Sequence, residues 1–520
     1  MVEERQHMLQ MPLPDILQKI SEAVQQKGGW AVVVGGSVRD LFLELPIKDY
    51  DIEVYGLKNL DVLETLLQPF GSVNLVGRSF GVLKLKAEGV EYDFSFPRTE
   101  QKIGKGHRDF TVTVDGSLHF EKAAKRRDFT INALGYDIET GEVLDPYGGI
   151  HDIEYGILRH IDSSTFVEDP LRVYRAVQFA ARFGFTVAEE TVQLCKKMVE
   201  EGMLESLPKE RVYEEWKKLL LKSPKPSTGF DLMREWGITE RYFPELHALI
   251  GVPQDPKWHP EGDVWVHTMM SIDAMERLIR NESAFSVEHP KDICHFVRAR
   301  STIREEKQKL KLLFAVLCHD FGKPLTTTIE LKNGEVVMWC HGGELPTQQE
   351  IKKVRSLGHE KAGLEPTRTL MYRLMQEHDF IESILPLVEY HLKPSQFYKQ
   401  GAKDGAIRRL ATKVNIEELV WVAKADFLGR MTDEARRGKY EAGEWLLERA
   451  AHLDVREKAP EALLLGRDLI ALGLKPSPLF KSLLDEVYSL QMDGNLKNKE
   501  EARAYIKKKI KAESGIFKAV

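Results

Sequence analysis

The sequence predicts a multidomain chain: an α/β head, an all-α neck, a second all-α block and a helical tail. Three observations predict it. The chain has 520 residues, too many for one hydrophobic core. Residues 1–150 alternate short strand-like apolar runs with amphipathic helical ones, the pattern of an α/β layer. From about residue 160 the apolar period becomes almost wholly helical.

In the head, Trp30–Val34, Tyr50–Val54, Gly81–Lys86 and Tyr92–Phe96 read as strands, with helices after Gly36 and over Leu60–Leu67. The turn chemistry of Asp145-Pro146-Tyr147-Gly148-Gly149 closes the head near residue 150. The neck, 151–248, shows helical periodicity in Leu171–Phe183 and Val212–Leu221, interrupted but not ended by Lys222-Ser223-Pro224-Lys225-Pro226. Gly251-Val252-Pro253-Gln254 marks the passage into a histidine-rich helical block, 249–435, and a charged helical tail covers 436–520. There is no internal repeat and no long low-complexity segment.

A composition of 42% hydrophobic and 30% charged residues is that of an ordinary soluble protein. No apolar run approaches transmembrane length, and Met1 to Gln10 is charged rather than signal-like. Cys195, Cys294, Cys318 and Cys340 show no paired spacing and read as reduced thiols, so the expected location is the cytoplasm, with no membrane partner. A net charge of −6 gives no global basic field, and RNA binding would rest on local patches. One runs from Arg98, Lys102, Lys105, His107 and Arg108 to Lys122, Lys125, Arg126 and Arg127. The other holds Lys507, Lys508, Lys509 and Lys511, which serve equally well as a solvated helix face.

The chemistry begins at Val32-Val33-Val34-Gly35-Gly36-Ser37-Val38-Arg39-Asp40, where an apolar strand enters a Gly-Gly turn and an amphipathic helix leaves it. Such a turn leaves backbone N–H groups free to cradle phosphate. The next strand carries Asp49 and Asp51, two residues apart and therefore on one face, spaced to hold a divalent cation. Phosphates beside a paired-carboxylate metal site point to nucleotidyl transfer. Further on, Glu168-Asp169-Pro170-Leu171-Arg172 opens a helix, with Asp169 fitting the N-cap and Pro170 the first helical position. Asp169 and Arg172, three apart, can lie side by side. A carboxylate only accepts and a guanidinium only donates, so such a pair would match the amine donor and ring-nitrogen acceptor of cytosine or adenine. Guanine and uracil would leave buried groups unpaired. A capping Asp with a local salt bridge is the plainer account of the same residues.

Gly35-Gly36-Ser37-Val38-Arg39-Asp40, Asp49-Tyr50-Asp51, Arg126-Arg127-Asp128-Phe129-Thr130-Ile131-Asn132-Ala133 and Glu168-Asp169-Pro170-Leu171-Arg172, in this order, resemble the class II tRNA nucleotidyltransferases (CCA-adding enzymes) and the related bacterial poly(A) polymerases. The resemblance spans roughly residues 25–245 and the tail piece Gly466-Arg467-Asp468-Leu469-Ile470. It implies a polymerase-β-like palm, Mg²⁺ on Asp49 and Asp51, and triphosphate contacts from Gly36 and Arg39. It also implies nucleotide contacts from Arg127 and Arg175, support from Asp128, and base reading by Asp169 and Arg172. The partners would be CTP, ATP and a tRNA 3′ end. Several relatives carry an arginine where this chain has Gln178. A third metal-side carboxylate would be Glu91 or Asp93, and alternation leaves both open.

In the second block stand His267, His319-Asp320, His359, His391 and Asp426. Taken singly, each would be an ordinary hydrogen-bonded core residue; together, imidazole and carboxylate suit a divalent transition metal that activates water against a phosphoester. The ordered set resembles the HD phosphohydrolase superfamily. That resemblance implies an inner metal set of His267, His319, Asp320 and Asp426, with His359 and His391 bringing a second metal or binding phosphate. His259 and His341 are expected as surface or loop histidines. The combination resembles the multifunctional bacterial CCA proteins. The readings to weigh against it are a poly(A) polymerase, a partial enzyme adding only CC or only A, and a phosphohydrolase with a degenerate RNA-binding head. Ser79 in Val76-Gly77-Arg78-Ser79-Phe80 departs from the poly(A) polymerase pattern.

Overall fold

The computed structural model describes residues 10–47, 49–74, 81–102, 110–280, 302–343, 345–347 and 349–512. The Val76–Phe80 segment and the basic stretch through Lys105, His107 and Arg108 lie outside the described residues, as do the side chains of Arg98 and Lys102. The chain divides into two compact units, residues 1–242 and 243–520.

The first unit is built on a mixed sheet. Its strands are β1 (Trp30–Val34), β2 (Tyr50–Tyr55), β3 (Ser72–Asn74), β4 (Val82–Ala87), β5 (Val90–Ser95), β8 (Gly135–Asp137) and β9 (Val143–Leu144), with a separate hairpin of β6 (Arg98–Lys102) and β7 (Phe110–Val114). A short parallel pair, β10 (Ile157–Leu158) and β11 (Thr186–Val187), lies in the neck, which was expected to be wholly helical. The order in the mixed sheet is β3-β4-β5-β2-β1-β8-β9. β1 lies deep in the sheet, which is why Ala31-Val32-Val33-Val34 is a continuous apolar run buried on both faces. Within this sheet only β2 and β5 run parallel, pairing Tyr50 with Tyr92 and Asp51 with Asp93. β2 is buried from Ile52 to Tyr55, while its leading end, with Asp51, stays open to solvent. The expected strands are present with ends shifted by one or two residues, and the Leu60–Leu67 helix, capped by the Asn59 side chain on Val62 N (3.1 Å), has the expected bounds.

The neck helix Leu171–Phe183 packs against the Lys209–Lys222 and Pro226–Glu235 helices around Val177, Trp216, Leu219 and Phe230. Ser223 to Lys225 form the break between the latter two, with Pro226 in the first turn of the second. Phe129 of the head meets Phe166 and Phe179 of the neck edge-on, each at 5.8 Å between centroids, so the two share one apolar core.

In the second unit, the helices Val264–Arg280, Thr302–Cys318, His378–Tyr390 and Ile416–Leu428 bury Ile272, Phe314, Leu387 and Leu419. A small antiparallel sheet is inserted into this helical block: β12 (Thr327–Leu331) lies between β13 (Val336–Met338) and β14 (Ile351–Ser356). The turn between β12 and β13 holds Asn333-Gly334, with Gly334 at φ 91, so hairpin chemistry overrides the helical trend there. The tail buries Leu469, Leu483, Val487, Ala502 and Ile506. Its Gly466–Ile470 piece works as a clamp: Asp468 accepts from Leu465 N (3.0 Å) and pairs with Lys499 (2.7 Å) and Arg503 (2.8 Å). Among the described residues, no helix is long and apolar enough to cross a membrane, and Cys195, Cys318 and Cys340 are free thiols.

Candidate active sites

In the head, β1 ends at Gly35, whose φ of 75 and ψ of −126 suit glycine alone. A Cβ there would also stand 2.7 Å from Arg127 Nη1. The helix Gly36–Phe42 leaves this turn, and Ser37 Oγ donates to the Asp49 carbonyl at 2.8 Å, fastening the turn to the strand that carries the carboxylates. Asp49 and Asp51 are both exposed. The parallel register sets Asp93 directly beside Asp51; Lys84 pairs with both remaining candidates, Glu91 at 2.6 Å and Asp93 at 3.2 Å. Although the Asp51 side chain is open on one side, desolvation by the surrounding protein pushes its pKa up; Arg127 pulls it down, and Asp93, Asp49 and Glu53 raise it further, leaving it above the ordinary value. Carboxylates that disfavour one another's charge suit a divalent cation, so this donor set fits Mg²⁺.

Arg39 is buried beside the turn. Its Nε and Nη2 donate to Asp40 Oδ1 (2.9 and 2.6 Å), its Nη1 donates to Asn132 Oδ1 (2.6 Å), and it lies over Phe183 at 4.9 Å. Asn132 Nδ2 donates in turn to Asp128 Oδ1 (2.9 Å), and Asp128 Oδ2 accepts from Arg175 (2.6 Å). One polar chain therefore runs from the phosphate turn to the neck helix. Burial would raise the Asp128 pKa, but Arg175 and the Asn132 hydrogen bond outweigh it and hold the carboxyl below its usual range. The buried Glu53, next on the same strand face as Asp49 and Asp51, holds Arg127 (3.0 Å) and Arg126 (3.1 Å) and accepts from Tyr55 Oη (2.7 Å).

Asp169 and Arg172 do not pair with each other. The helix begins at Leu171, one residue later than expected, with Pro170 at its N-cap; Asp169 Oδ1 accepts from Leu171 N (3.1 Å) just ahead of it, and Oδ2 pairs with Arg211 (2.8 Å) of the neighbouring helix. Arg172 reaches back toward the helix start, donating to the carbonyls of Thr165 and Arg126 (both 2.6 Å), as long helical side chains do. The local salt bridge is thus made by Arg211, a residue that no motif flagged. Gln178 is buried in the same helix.

In the second unit, the expected ligands converge. His267 Nε2 lies 3.1 Å from Asp426 Oδ1 and 3.4 Å from His319 Nε2. Asp320 turns Oδ2 toward His319 (3.2 Å) and Oδ1 toward His359 (3.3 Å), and His359 Nε2 meets His391 Nε2 at 3.4 Å. Two groups, His267–His319–Asp426 and Asp320–His359–His391, each have ligand atoms within 4.8 Å of one another, and all six residues are buried.

The imidazole tautomers follow from their outer partners. His319, His359 and His391 each set Nδ1 against a backbone carbonyl, that of Val316 (2.6 Å), Ser356 (2.7 Å) and Val388 (2.7 Å) respectively. A carbonyl only accepts, so Nδ1 carries the proton and neutral Nε2 offers a lone pair inward. His267 does the same with the Glu261 carboxylate at 2.8 Å. Acceptors thus face acceptors at 3.4 Å, an arrangement that a cation satisfies, so this donor set also fits metal. Burial drives the His391 pKa down to about 3, helped by His319 and His359. For His319, burial lowers the pKa but Asp320 outweighs it and raises it, so the cluster draws positive charge inward.

Several residues at this site were not singled out by the sequence. Glu261 joins His267 and His259 and accepts from Met431 N (3.1 Å), tying together the loops on both sides of the cluster. Lys323 pairs with Asp320 (2.7 Å), three residues on in one turn, a spacing that could have marked it; Arg430 pairs with Asp426 (2.9 Å) four residues on. His259 is not a surface histidine. It stacks edge-on against His267 at 4.6 Å and is held by Glu261 (2.9 Å), because the loop folds back over the ligands. His341 is exposed, as expected. A Cβ on Gly322 would stand 1.9 Å from the His359 carbonyl, so only glycine lets the two ligand segments approach this closely.

Residues 31–159 match the family model of the poly A polymerase head domain, residues 184–250 that of the probable RNA and SrmB-binding site of polymerase A, and residues 286–431 that of the HD domain. The chain therefore carries a polymerase-type head, its RNA-binding segment and an HD domain. The fold is similar to that of the Bacillus stearothermophilus CCA-adding enzyme in complex with CTP, with 20% identity over 96% of this chain and 98% of that one and a TM-score of 0.60. It is also similar to a CCA-adding enzyme in complex with ATP (20% identity, 95% and 93% covered, TM-score 0.57). The Thermotoga maritima CCA-adding enzyme complexed with tRNA is similar too (19% identity, 97% of each chain covered, TM-score 0.55).

Proposed function

We propose that this chain, with its polymerase-type head, RNA-binding segment and HD domain, adds C, C and A to tRNA 3′ ends from CTP and ATP and carries a separate metal-dependent phosphohydrolase. The observation that carries the first activity is the fastening of the Gly35–Gly36 turn to the Asp49–Asp51 strand through Ser37. It keeps the phosphate cradle and the carboxylates at a set distance. Asp49 and Asp51, with Asp93 beside them, would hold Mg²⁺, which when bound lowers the pKa of the RNA 3′-hydroxyl and neutralises the triphosphate. The chain itself binds and orients, and such transfer needs little else from the protein. Arg39 spends three hydrogen bonds on Asp40 and Asn132 and keeps further N–H groups for phosphate. Arg127 and Arg175, held by Glu53 and Asp128, would meet the nucleotide. Asp169 and Arg172 would read the base, with Arg211 orienting the Asp169 carboxylate.

In the HD domain, His267, His319, Asp320 and Asp426 would hold one divalent ion, and His359 and His391 a second, with Asp320 shared. The metal supplies water activation against a phosphoester, and Lys323 and Arg430 add positive charge where a phosphate would bind. Phosphomonoesters and 2′,3′-cyclic phosphates are the proposed substrates.

The test incubates full-length protein with Mg²⁺, CTP and ATP, and with tRNA transcripts lacking CCA, ending after one C, or ending after both. Single-nucleotide resolution should show addition that stops at CCA. Long A tails would point to a poly(A) polymerase, and arrest after CC to a partial enzyme. Asp49→Ala with Asp51→Ala should abolish addition and spare phosphohydrolysis; His319→Ala with Asp320→Ala should do the reverse. Loss of both activities in either folded variant would sink the two-site reading.

A further inference from the structure

Four of the six candidate ligands, Asp320, His359, His391 and Asp426, line a cavity of about 230 Å³, together with Lys323, Arg355 and Arg430. Trp258 lines it too, yet stays 44% exposed. The volume is below the roughly 300–1,000 Å³ of pockets that enclose a whole organic ligand. A phosphoryl group and its sugar fit inside, and whatever the sugar carries is left at the mouth, where the indole stands.

The backbone that carries the ring is held. Trp258 N and His259 N both donate to the Asp255 carbonyl (3.0 and 2.9 Å), and Lys257 N donates to Asp255 Oδ1 (3.0 Å). The next residue, His259, is packed on the ligand His267. The backbone that carries the indole is therefore one peptide unit from a side chain packed on the candidate ligand His267. The flanks of the indole are cationic: Lys257 Nζ lies 5.4 Å and Lys399 Nζ 5.2 Å from the ring centroid. Both lysines are exposed. An exposed ammonium over an indole is weakly held, and a stacked nucleobase gains more from the same face, so a base can displace the lysines toward phosphate. An aromatic face between basic side chains, at the lip of a phosphate-binding cavity, is the chemistry that recognises single-stranded nucleotides.

We propose that Trp258 is the base-stacking platform of the HD site, selecting phosphoesters in which a nucleobase sits one sugar away from the scissile phosphate. The inference rests on the phosphohydrolase reading above and adds to it the residue that sets substrate class. The same chemistry is offered by a free nucleotide and by the last nucleotide of an RNA ending in a 3′-phosphate.

The experiment uses full-length protein loaded with Mn²⁺ and compares wild type, Trp258→Ala and Trp258→Phe. The substrates are 3′-AMP, a short RNA with a 3′-phosphate, and glycerol 2-phosphate, which has no ring. Trp258→Ala should raise KM for the nucleotide by about 10-fold while kcat changes little, as loss of one stacked base predicts. Trp258→Phe should recover most of it, and glycerol 2-phosphate should respond equally to all three proteins. A larger effect on the RNA than on 3′-AMP would identify the RNA end as the source of the base. Equal losses on glycerol 2-phosphate and 3′-AMP, or no change on 3′-AMP, would overturn the proposal while leaving the hydrolase standing. Should wild type hydrolyse none of the three, the hydrolase reading fails, and binding decides this one. Titrating 3′-AMP by calorimetry should then show affinity that falls about 10-fold in Trp258→Ala, and absence of nucleotide binding would overturn it.

Discussion

Glu53 is a single side chain on which two arginines of the head depend. Its carboxylate is almost wholly buried, and its partners Arg126 and Arg127 are mostly covered as well. Removing the charge would leave two guanidinium groups poorly paired, so Glu53→Gln should cost about 2–4 kcal/mol of stability, read by urea denaturation. Burial alone would raise the Glu53 pKa, but Arg127 and Arg126 outweigh it, and the folded-state value lies below that of an ordinary glutamate. Its stabilisation is therefore fully present above pH about 4.3 and is lost as pH falls through the lower folded value. The gap between wild type and Glu53→Gln should close as pH is taken from 7 toward 3; a constant gap would mean that packing, not charge, carries the effect. Asp49, Asp51, His319 and Asp320 were legible because their chemistry lies in residue type and spacing. Glu53, Glu261 and Arg211 were not, since each acts through a partner distant in sequence.

At the scale of elements, the turn between β1 and the Gly36–Phe42 helix is where backbone geometry and chemistry meet. Gly35→Ala would place a side chain at φ 75 and 2.7 Å from Arg127 Nη1. The backbone term alone is about 1–3 kcal/mol. The displaced guanidinium should add a loss on the order of 10–100-fold in kcat/KM for CTP, since misplacement of about 1 Å is that costly to transfer. Steady-state addition to a tRNA ending before CCA measures it, and a variant with unchanged KM and kcat would show that the turn does not meet the triphosphate. Helices were the most readable elements: Leu171–Phe183 carries a 3.6-residue apolar period closed by Gly184 in the left-handed conformation. Asp169 stands one residue ahead of the N-cap position expected of it, which Pro170 takes, and helical spacing could not decide whether Arg172 or Arg211 would answer it, because a side chain on a second helix has no signature in the first. The inserted β12–β14 sheet lay inside a block whose overall period is helical, and only Asn333-Gly334 betrayed it.

At the scale of the whole molecule, two metal-fitting sites of opposite character lie in two compact units. The head carboxylates Asp49 and Asp51 are open to solvent, while the six candidate ligands of the HD domain are buried. An ion that binds only the folded state stabilises by RT ln(1 + [L]/Kd), about 2.7 kcal/mol at a hundredfold excess over Kd. Imidazole nitrogens crowded at 3.4 Å beside buried carboxylates gain most from such an ion, because it takes their lone pairs and neutralises the carboxylates. Calorimetry of metal-stripped protein should therefore show that Mn²⁺ raises the melting of the second unit. Asp320→Ala should remove most of that gain, since Asp320 faces both ligand groups. CTP with Mg²⁺ should instead raise the melting of the first unit, and Asp49→Ala with Asp51→Ala should remove that response alone. If either variant suppressed both responses in folded protein, the two sites would be thermodynamically coupled, and the independence assigned to the two chemistries would fall.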